Sequence, residues 1–483
     1  MKKQSSFKLC HLLISEPLCN EENSQQSKFC WLDLDEQYRE KAKPALFGLP
    51  FSVKECIDLK GHVVTAGYAH WLFNRPAERD ALLVEVLKRA GAIPFVRTNV
   101  PQTVGASHCS NPIYGETSNP HNETKTSGGS SGGEAALIGA DGSLFGLGSD
   151  LAGSLRIPAH CCGVVAFKAS SIRLSKMGYF NAHLSGIQLA RASTGPIAAD
   201  VDTAVEVVKT LLDPAIRDQC DTADPYTALI PFQDSLYTAK RALTIGYFES
   251  DGFFEPTPAV RRAVREASEH LGRAGHKLVE WIPPNWVDKA VSLANAAMMM
   301  DRGKFVAANM SKDIWDAHTH STAMMRLPRC LLRILSNFDP KMKTLLQNVP
   351  YSIQDLQQLC ASVYEYRNLF AAEWRAQGLD CLICPVHPSA ALPLDRCQQV
   401  GLALNYLVPF NMLDYCGGVV PWTKVTQSDE VALKNDYKPT DFMGKIMREL
   451  NLTGSAGLPI GLQCVAPPYK EELCLRVMKE LER

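Results

Sequence analysis

The stretch TSGGSSGGEAALIGADGSLFGLGSDLAGSLRIPAH, Thr126 to His160, places nine glycines and six serines in 35 residues. It can be read as a flexible linker, a phosphate cradle or the packed wall of an active site. A linker fails because EAALIGA and SLFGLG are apolar and patterned, which Gly/Ser linkers are not. A phosphate cradle requires GxxxxGK[ST] or GxGxxG; no Lys follows these glycines and the spacing is wrong. The third reading, the wall of a site, is carried by the residues that follow.

Outward from this stretch, strands and helices alternate. In ALFGLPFSVKECIDLKG, Phe51 and Val53 share one face of a strand, with Ser52 and Lys54 on the other. RDALLVEVLKRAGAIPFVRTN reads as a helix running into a buried strand, and GVVAFKAS as another strand. DVDTAVEVVKTLLD is an amphipathic helix with an Asp cap. The alternation continues through ALTIGYF, TPAVRRAVREASEHLGRAG, HKLVEWIPP, the long helix before LDCLICP, and the closing GLQCVAP and KEELCLRVMKELE. These signals predict an α/β fold with a mixed, mostly parallel central sheet covered by helices on both faces. The expected organisation is an irregular N-terminal segment, residues 1–43, followed by one large domain, residues 44–483.

Fifty Lys+Arg against 51 Asp+Glu leave a net charge of −1, so no bulk field favours nucleic acid. Sixteen scattered cysteines in a chain this long fit a reducing compartment. The CxxC at Cys381–Cys384 has no companion motif, so a buried strand with two thiols is expected rather than a metal site. MKKQSSFKLCHLLISEP is interrupted by Lys8, His11 and Glu16 and does not read as a signal peptide. GLALNYLVPFNMLDYCGGVVPW carries polar residues and a Gly pair, and reads as helix, turn and strand in a core rather than a membrane span.

Two readings of the serines remain. Gly128-Gly-Ser130-Ser-Gly132 matches the GxSxG nucleophile elbow, which wants an acid and then a His downstream. His183, His270 and His276 follow without supporting context. The longer pattern accounts for more residues: GGSSGG at Gly128–Gly133, a short helix, then Asp150-Leu-Ala-Gly-Ser154-Leu-Arg-Ile-Pro158. It resembles the signature of the amidase signature family, with Ser130 and Ser154 at that family's separation of 24 residues.

The resemblance implies a serine amidase with a Ser-Ser-Lys triad. A hydroxyl attacks an amide only if a base removes its proton during attack. The family's base is a lysine on an upstream strand, and GLPFSVKECIDLKG resembles that segment, placing the base at Lys54. Ser154 would attack, Ser130, whose peptide is cis in the family, would relay the proton, and Lys54 would store it and return it to the leaving amine. The N–H groups of Leu151, Ala152, Gly153 and Ser154 would form an oxyanion hole in the tight turn. A supporting role is expected for Ser131, Ser149, Asp150 and Arg156, the last two bracing the turn by charged hydrogen bonds. His160 is expected to be a satisfied core histidine. No metal and no organic cofactor are implied.

From about Ala45 onward, FVRTNVPQTVGASHCSNPIYGETSNP, RLSKMGYF and GLPIGLQCVAPPYKEELCLRVMKELER are similar to the fatty acid amide hydrolase branch of that family. That similarity implies a lipid amide substrate such as an N-acylethanolamine or a primary fatty amide, with Val104 at the substrate-contact position. It also implies peripheral attachment on the cytoplasmic side of intracellular membranes, and a homodimer as a candidate state. Residues 318–346 fall where the family carries its membrane-binding cap. Within Met324–Phe338, Arg326, Arg329, Arg333 and Asn337 cluster on one side of a helical wheel, opposite Met324, Leu327, Leu331, Ile334, Leu335 and Phe338. The branch's N-terminal transmembrane helix is not expected, because Lys54 comes too early. Ala152 replaces the usual first glycine of the turn, and Gly105 would widen the pocket. Two alternatives stay open: a glutaminase subunit of a tRNA amidotransferase, and an impaired lipid-binding paralogue.

Overall fold

The computed structural model describes residues 14–17, 43–180, 186–221, 223–228, 230–319, 339–452 and 454–482. Its main sheet is built from β1 (Ile14–Pro17), β2 (Pro50–Lys54), β3 (Ile93–Thr98), β4 (Phe145–Asp150), β5 (Val165–Lys168), β6 (Ser193–Ala198), β7 (Thr244–Tyr247), β8 (Lys277–Glu280), β9 (Cys381–Pro385), β10 (Cys416–Lys424) and β11 (Pro459–Ala466). The spatial order is β1-β3-β2-β4-β6-β5-β10-β11-β9-β7-β8. Cys381 and Cys384 lie in the buried strand β9, as their apolar context predicts.

The mixed sheet is present, with its parallel pairings gathered on two flanks. One flank is β3-β2-β4 and the other β9-β7-β8. From β4 through β6, β5, β10 and β11 to β9, every neighbour is antiparallel. Local periodicity identifies a strand but not its neighbour: β6 inserts between β4 and β5, although only a short helix separates those two in sequence. The segment expected to be irregular, residues 1–43, contributes the edge strand β1, antiparallel to β3.

Seven helices matter for the site: α1 (Leu82–Arg89), α2 (Gly132–Gly139), α3 (Arg156–Cys162), α4 (Val201–Leu211), α5 (Pro258–Arg273), α6 (Ile353–Ala376) and α7 (Glu471–Leu481). The Asp200 side chain caps α4 by accepting the Thr203 N–H at 2.7 Å, as the sequence predicts. Thr257 stands at the start of α5 without a side-chain cap, leaving Pro258 at the first helical position to set the entry. Ser352 and Asp355 form a reciprocal capping box on α6.

Helices lie on both faces, and strand alternation shows it directly. Gly418 and Val419 are adjacent in β10 and so face opposite sides. A Cβ on Gly418 would meet Met478 of α7, whereas Val419 packs beside Gly461 and the His160 main chain of α3. The buried apolar residues divide mainly into two clusters. The larger includes Phe51, Leu147, Phe167 and Val419, and the other Trp286, Phe370, Tyr406 and Phe410.

The glycines of the opening stretch serve helix–strand contact. Gly146 and Gly148 share one face of β4. A Cβ at Gly146 would fall 2.0 Å from Glu134 Oε2, and one at Gly148 would fall 2.9 Å from Ser131 Oγ. With hydrogen there, α2 lies directly on the strand. That contact sets Ser130 and Ser131, at the entry to α2, against the ends of β2 and β4.

Candidate active site

Lys54 is the last residue of β2 and has no exposed surface. Its neighbours follow from the sheet: β3 on one side, where Thr98 is its register partner, and β4 on the other. The Lys54 amine donates to Ser130 Oγ at 2.8 Å and to Ser149 Oγ at 3.1 Å. Burial pushes the amine below the ordinary lysine range, while charge at Cys56, Asp150, Cys109 and Glu134 acts in the opposite direction.

Ser130 follows a cis Gly129–Ser130 peptide and is fully buried. No Cβ fits on Gly129, since it would lie 2.2 Å from His108 O and 2.5 Å from Ala106 O. The loop that follows Val104 is thereby packed onto the Ser130 peptide. Next in the chain, the Ser131 N–H donates to Ser154 O at 3.1 Å. This bond joins the GGSS segment to the turn that carries Ser154. Ser131 Oγ is buried and has no hydrogen-bond partner among the described residues.

The turn between β4 and α3 is organised by Asp150. Its carboxylate accepts the N–H of Gly153 at 2.9 Å and of Leu155 at 3.2 Å. Arg156 donates to the same carboxylate from Nε at 3.0 Å and from Nη2 at 2.8 Å. Its remaining donors reach Gln463 Oε1 at 2.6 Å, Asn411 Oδ1 at 2.5 Å and Leu407 O at 3.3 Å. All five guanidinium N–H groups therefore have acceptors, as a buried arginine requires. Burial opposes ionisation of Asp150. The charge and hydrogen bonds of Arg156, with Lys168 and the Gly153 N–H, outweigh it and hold the carboxyl well below the usual range.

This arrangement changes the reading of the oxyanion hole. The N–H of Gly153, counted above with three others, is directed at Asp150 instead, because a buried carboxylate must be satisfied by donors. The N–H groups of Leu151, Ala152 and Ser154 make no hydrogen bond to the described residues, and all three residues are half-buried. Three donors unengaged by the described residues thus lie in one tight turn, an arrangement that could receive an anionic oxygen.

Val104 and Thr103 both have left-handed backbones, with φ of 54° and 76°. For a β-branched residue this is a rare and costly conformation, of the kind concentrated at binding sites. His160 is buried, with Nδ1 accepting the Gly461 N–H at 3.1 Å and Nε2 lying 3.0 Å from Ser389 O. Both ring nitrogens are occupied by main chain. His270 and His276, the downstream histidines of the elbow reading, are bonded to Glu480, and His183 lies outside the described residues. The amphipathic stretch 324–338, and residues 320–338 of the expected cap, also lie outside the described residues. Among the described residues, no helix is long and apolar enough to cross a membrane.

Sequence reasoning missed Glu134, Ser52, Thr98, Asn411 and Gln463. Glu134 has a signal in retrospect: it is the one charged residue in GGSSGGEAALIG, a segment buried almost throughout.

The buried Lys54–Ser130 pair and the turn of Ser154 are thus brought together, the Ser131 main chain bonding the one segment to the other. Residues 26–475 match the family model described as Amidase, and the chain belongs to the amidase signature family. It is thus a hydrolase acting on amide bonds. It is 39% identical over 457 residues to fatty acid amide hydrolase 1 of Caenorhabditis elegans, covering 93% of this chain and 79% of that protein. It is 38% identical to fatty-acid amide hydrolase 1 of Sus scrofa, covering 91% of this chain and 76% of that one. A solved fatty acid amide hydrolase structure shares the fold, with a TM-score of 0.75 and 23% identity over 93% of this chain and 75% of its own.

Proposed function

We propose that this enzyme hydrolyses fatty acid amides, N-acylethanolamines and primary fatty amides among them, through Ser154, Ser130 and Lys54. The observation that carries the reading is the buried Lys54–Ser130 hydrogen bond beside the turn of Ser154. Ser154 Oγ attacks the amide carbonyl carbon as its proton passes to Ser130 Oγ and from Ser130 to Lys54. The carbonyl oxygen, now negative, is received by the free N–H groups of Leu151, Ala152 and Ser154. Lys54 returns the proton through Ser130 to the nitrogen, the C–N bond breaks and the amine leaves. Water then cleaves the acyl ester, releasing the fatty acid and restoring Ser154.

Lysine can begin this cycle only when neutral, and its burial favours that state. The lipid substrate is supported by the two relatives named for fatty acid amide hydrolysis. Val104 is assigned to the acyl chain, on the strength of its strained backbone in the loop packed on Ser130. The apolar side of 324–338 is assigned to a membrane surface on its sequence pattern alone.

The test combines a fluorophosphonate probe, which reacts with activated serines, with hydrolysis of oleamide, anandamide and short-chain amides. Ser154→Ala is expected to abolish labelling and lipid amide hydrolysis together. Undiminished labelling would refute the nucleophile, and glutamine turnover with no lipid amide cleavage would refute the substrate class.

A further inference from the structure

Glu134 is a fully buried carboxylate that the reaction above does not use. It stands in the first turn of α2, four residues after Ser130. Its Oε2 accepts from Ser52 Oγ at 2.5 Å and its Oε1 from Thr98 Oγ1 at 2.7 Å. Neither donor is incidental to Lys54. Ser52 shares a face of β2 with Lys54 two residues on, and Thr98 is the register partner of Lys54 in β3. The sheet thus hands the carboxyl to the same face as the amine, held between Ser52 and the register partner of Lys54. A Cβ at Gly146 would occupy the carboxyl's place, so β4 is shaped to admit it.

We propose that Glu134 is a positioning residue for the Lys54 amine, its carboxyl supplying a negative charge that sets how readily the amine gives up its proton. The inference rests on the reading of Lys54 as the base.

Among the described residues, the other groups facing these two do not change charge near neutrality. Asp150, at the end of β4, is held ionised by Arg156. Burial pushes the Cys56 thiol up and the Cys109 thiol to about 12, and it raises the Tyr179 phenol, which faces Glu134. Glu134 differs. Burial pushes its carboxyl up to about 7, despite the Ser52 and Thr98 hydroxyls and the Lys54 charge acting the other way.

The experiment compares wild type, Glu134→Gln, Thr98→Val and Lys54→Ala in full-length protein. It measures kcat/KM for oleamide and the fluorophosphonate labelling rate across pH. Removing the negative charge disfavours the ammonium. The acid limb of both profiles is therefore expected to move to lower pH by about one unit in Glu134→Gln. It should move the same way, less far, in Thr98→Val, where the carboxyl loses a donor and ionises less. A slower enzyme whose acid limb stays in place overturns the proposal, since a merely structural role predicts that result. Should Glu134→Gln not fold, an unmoved limb in Thr98→Val overturns it equally. Full oleamide hydrolysis by Lys54→Ala would instead overturn the reading of the base.

Discussion

The Lys54 amine donates to the Ser130 hydroxyl at 2.8 Å in a place where neither side chain has exposed surface. Among the described residues its hydrogen-bond partners, Ser130 and Ser149, are hydroxyls rather than carboxylates. An ammonium taken out of water without a bonded counter-ion is disfavoured by several kcal/mol. The local structure therefore favours the neutral amine, the form that can take a proton. The link from packing to chemistry is direct: β3 and β4 enclose β2, and enclosure changes what its last lysine can do.

Arg156 is expected to be the most costly single truncation near the site. Its guanidinium satisfies the buried Asp150 and ties the turn to Asn411 and Gln463. Arg156→Ala strands that carboxylate, and removing one partner of a buried pair typically costs about 3–5 kcal/mol. Arg156→Lys keeps the charge but not the five-donor fork, so an intermediate loss is expected. Urea unfolding of the three proteins checks this, and an alanine variant as stable as wild type would refute it.

Asp150 also predicts an acid dependence. Its folded-state carboxyl titrates below its unfolded value, so its contribution to stability is complete above about pH 5 and declines as pH falls toward the folded-state value. Asp150→Asn removes that contribution. The stability gap between wild type and variant should be widest near neutral pH and narrow steadily below about pH 4. Chemical unfolding at a series of pH values measures it; a gap that stays constant would contradict the assignment.

Gly129 is expected to tolerate no side chain. An alanine Cβ would collide with the carbonyl oxygens of Ala106 and His108, both backbone atoms that cannot swing aside. Overpacking of this kind costs about 1–3 kcal/mol or more. It would also push the loop after Val104 away from Ser130. Gly129→Ala should lower both the unfolding midpoint and the fluorophosphonate labelling rate, and normal values of both would count against the packing described.

How much of this was legible beforehand depended on the range of the interaction. Phe51 and Val53 against Ser52 and Lys54 could be read as two faces of a strand, because alternation is local. The order of strands could not, since β10 finds β11 and β5 through contacts distant in sequence. Residues 130 and 154 stood out through a long pattern resembling a family, and their chemistry followed from that resemblance. The partners that brace the turn were invisible: Asn411 and Gln463 lie more than 250 residues from Arg156 and carry no local signal. Glu134 was passed over for a different reason. An acidic residue in a first helical turn is ordinary, favoured by the helix dipole, and only its complete burial sets it apart. The fate of the Gly153 N–H was equally hidden, because a donor's target depends on where the neighbouring carboxylate folds.

The most direct test of the account is the effect of Lys54→Ala on amide and ester substrates of the same acyl chain. An amine leaving group must be protonated as it departs, whereas an alkoxide needs this much less. If Lys54 stores and returns the proton, kcat/KM for oleamide should fall by about 10²–10⁴-fold while the matching methyl ester loses far less. Equal losses on the two substrates, or an amide rate that survives the substitution, would contradict it.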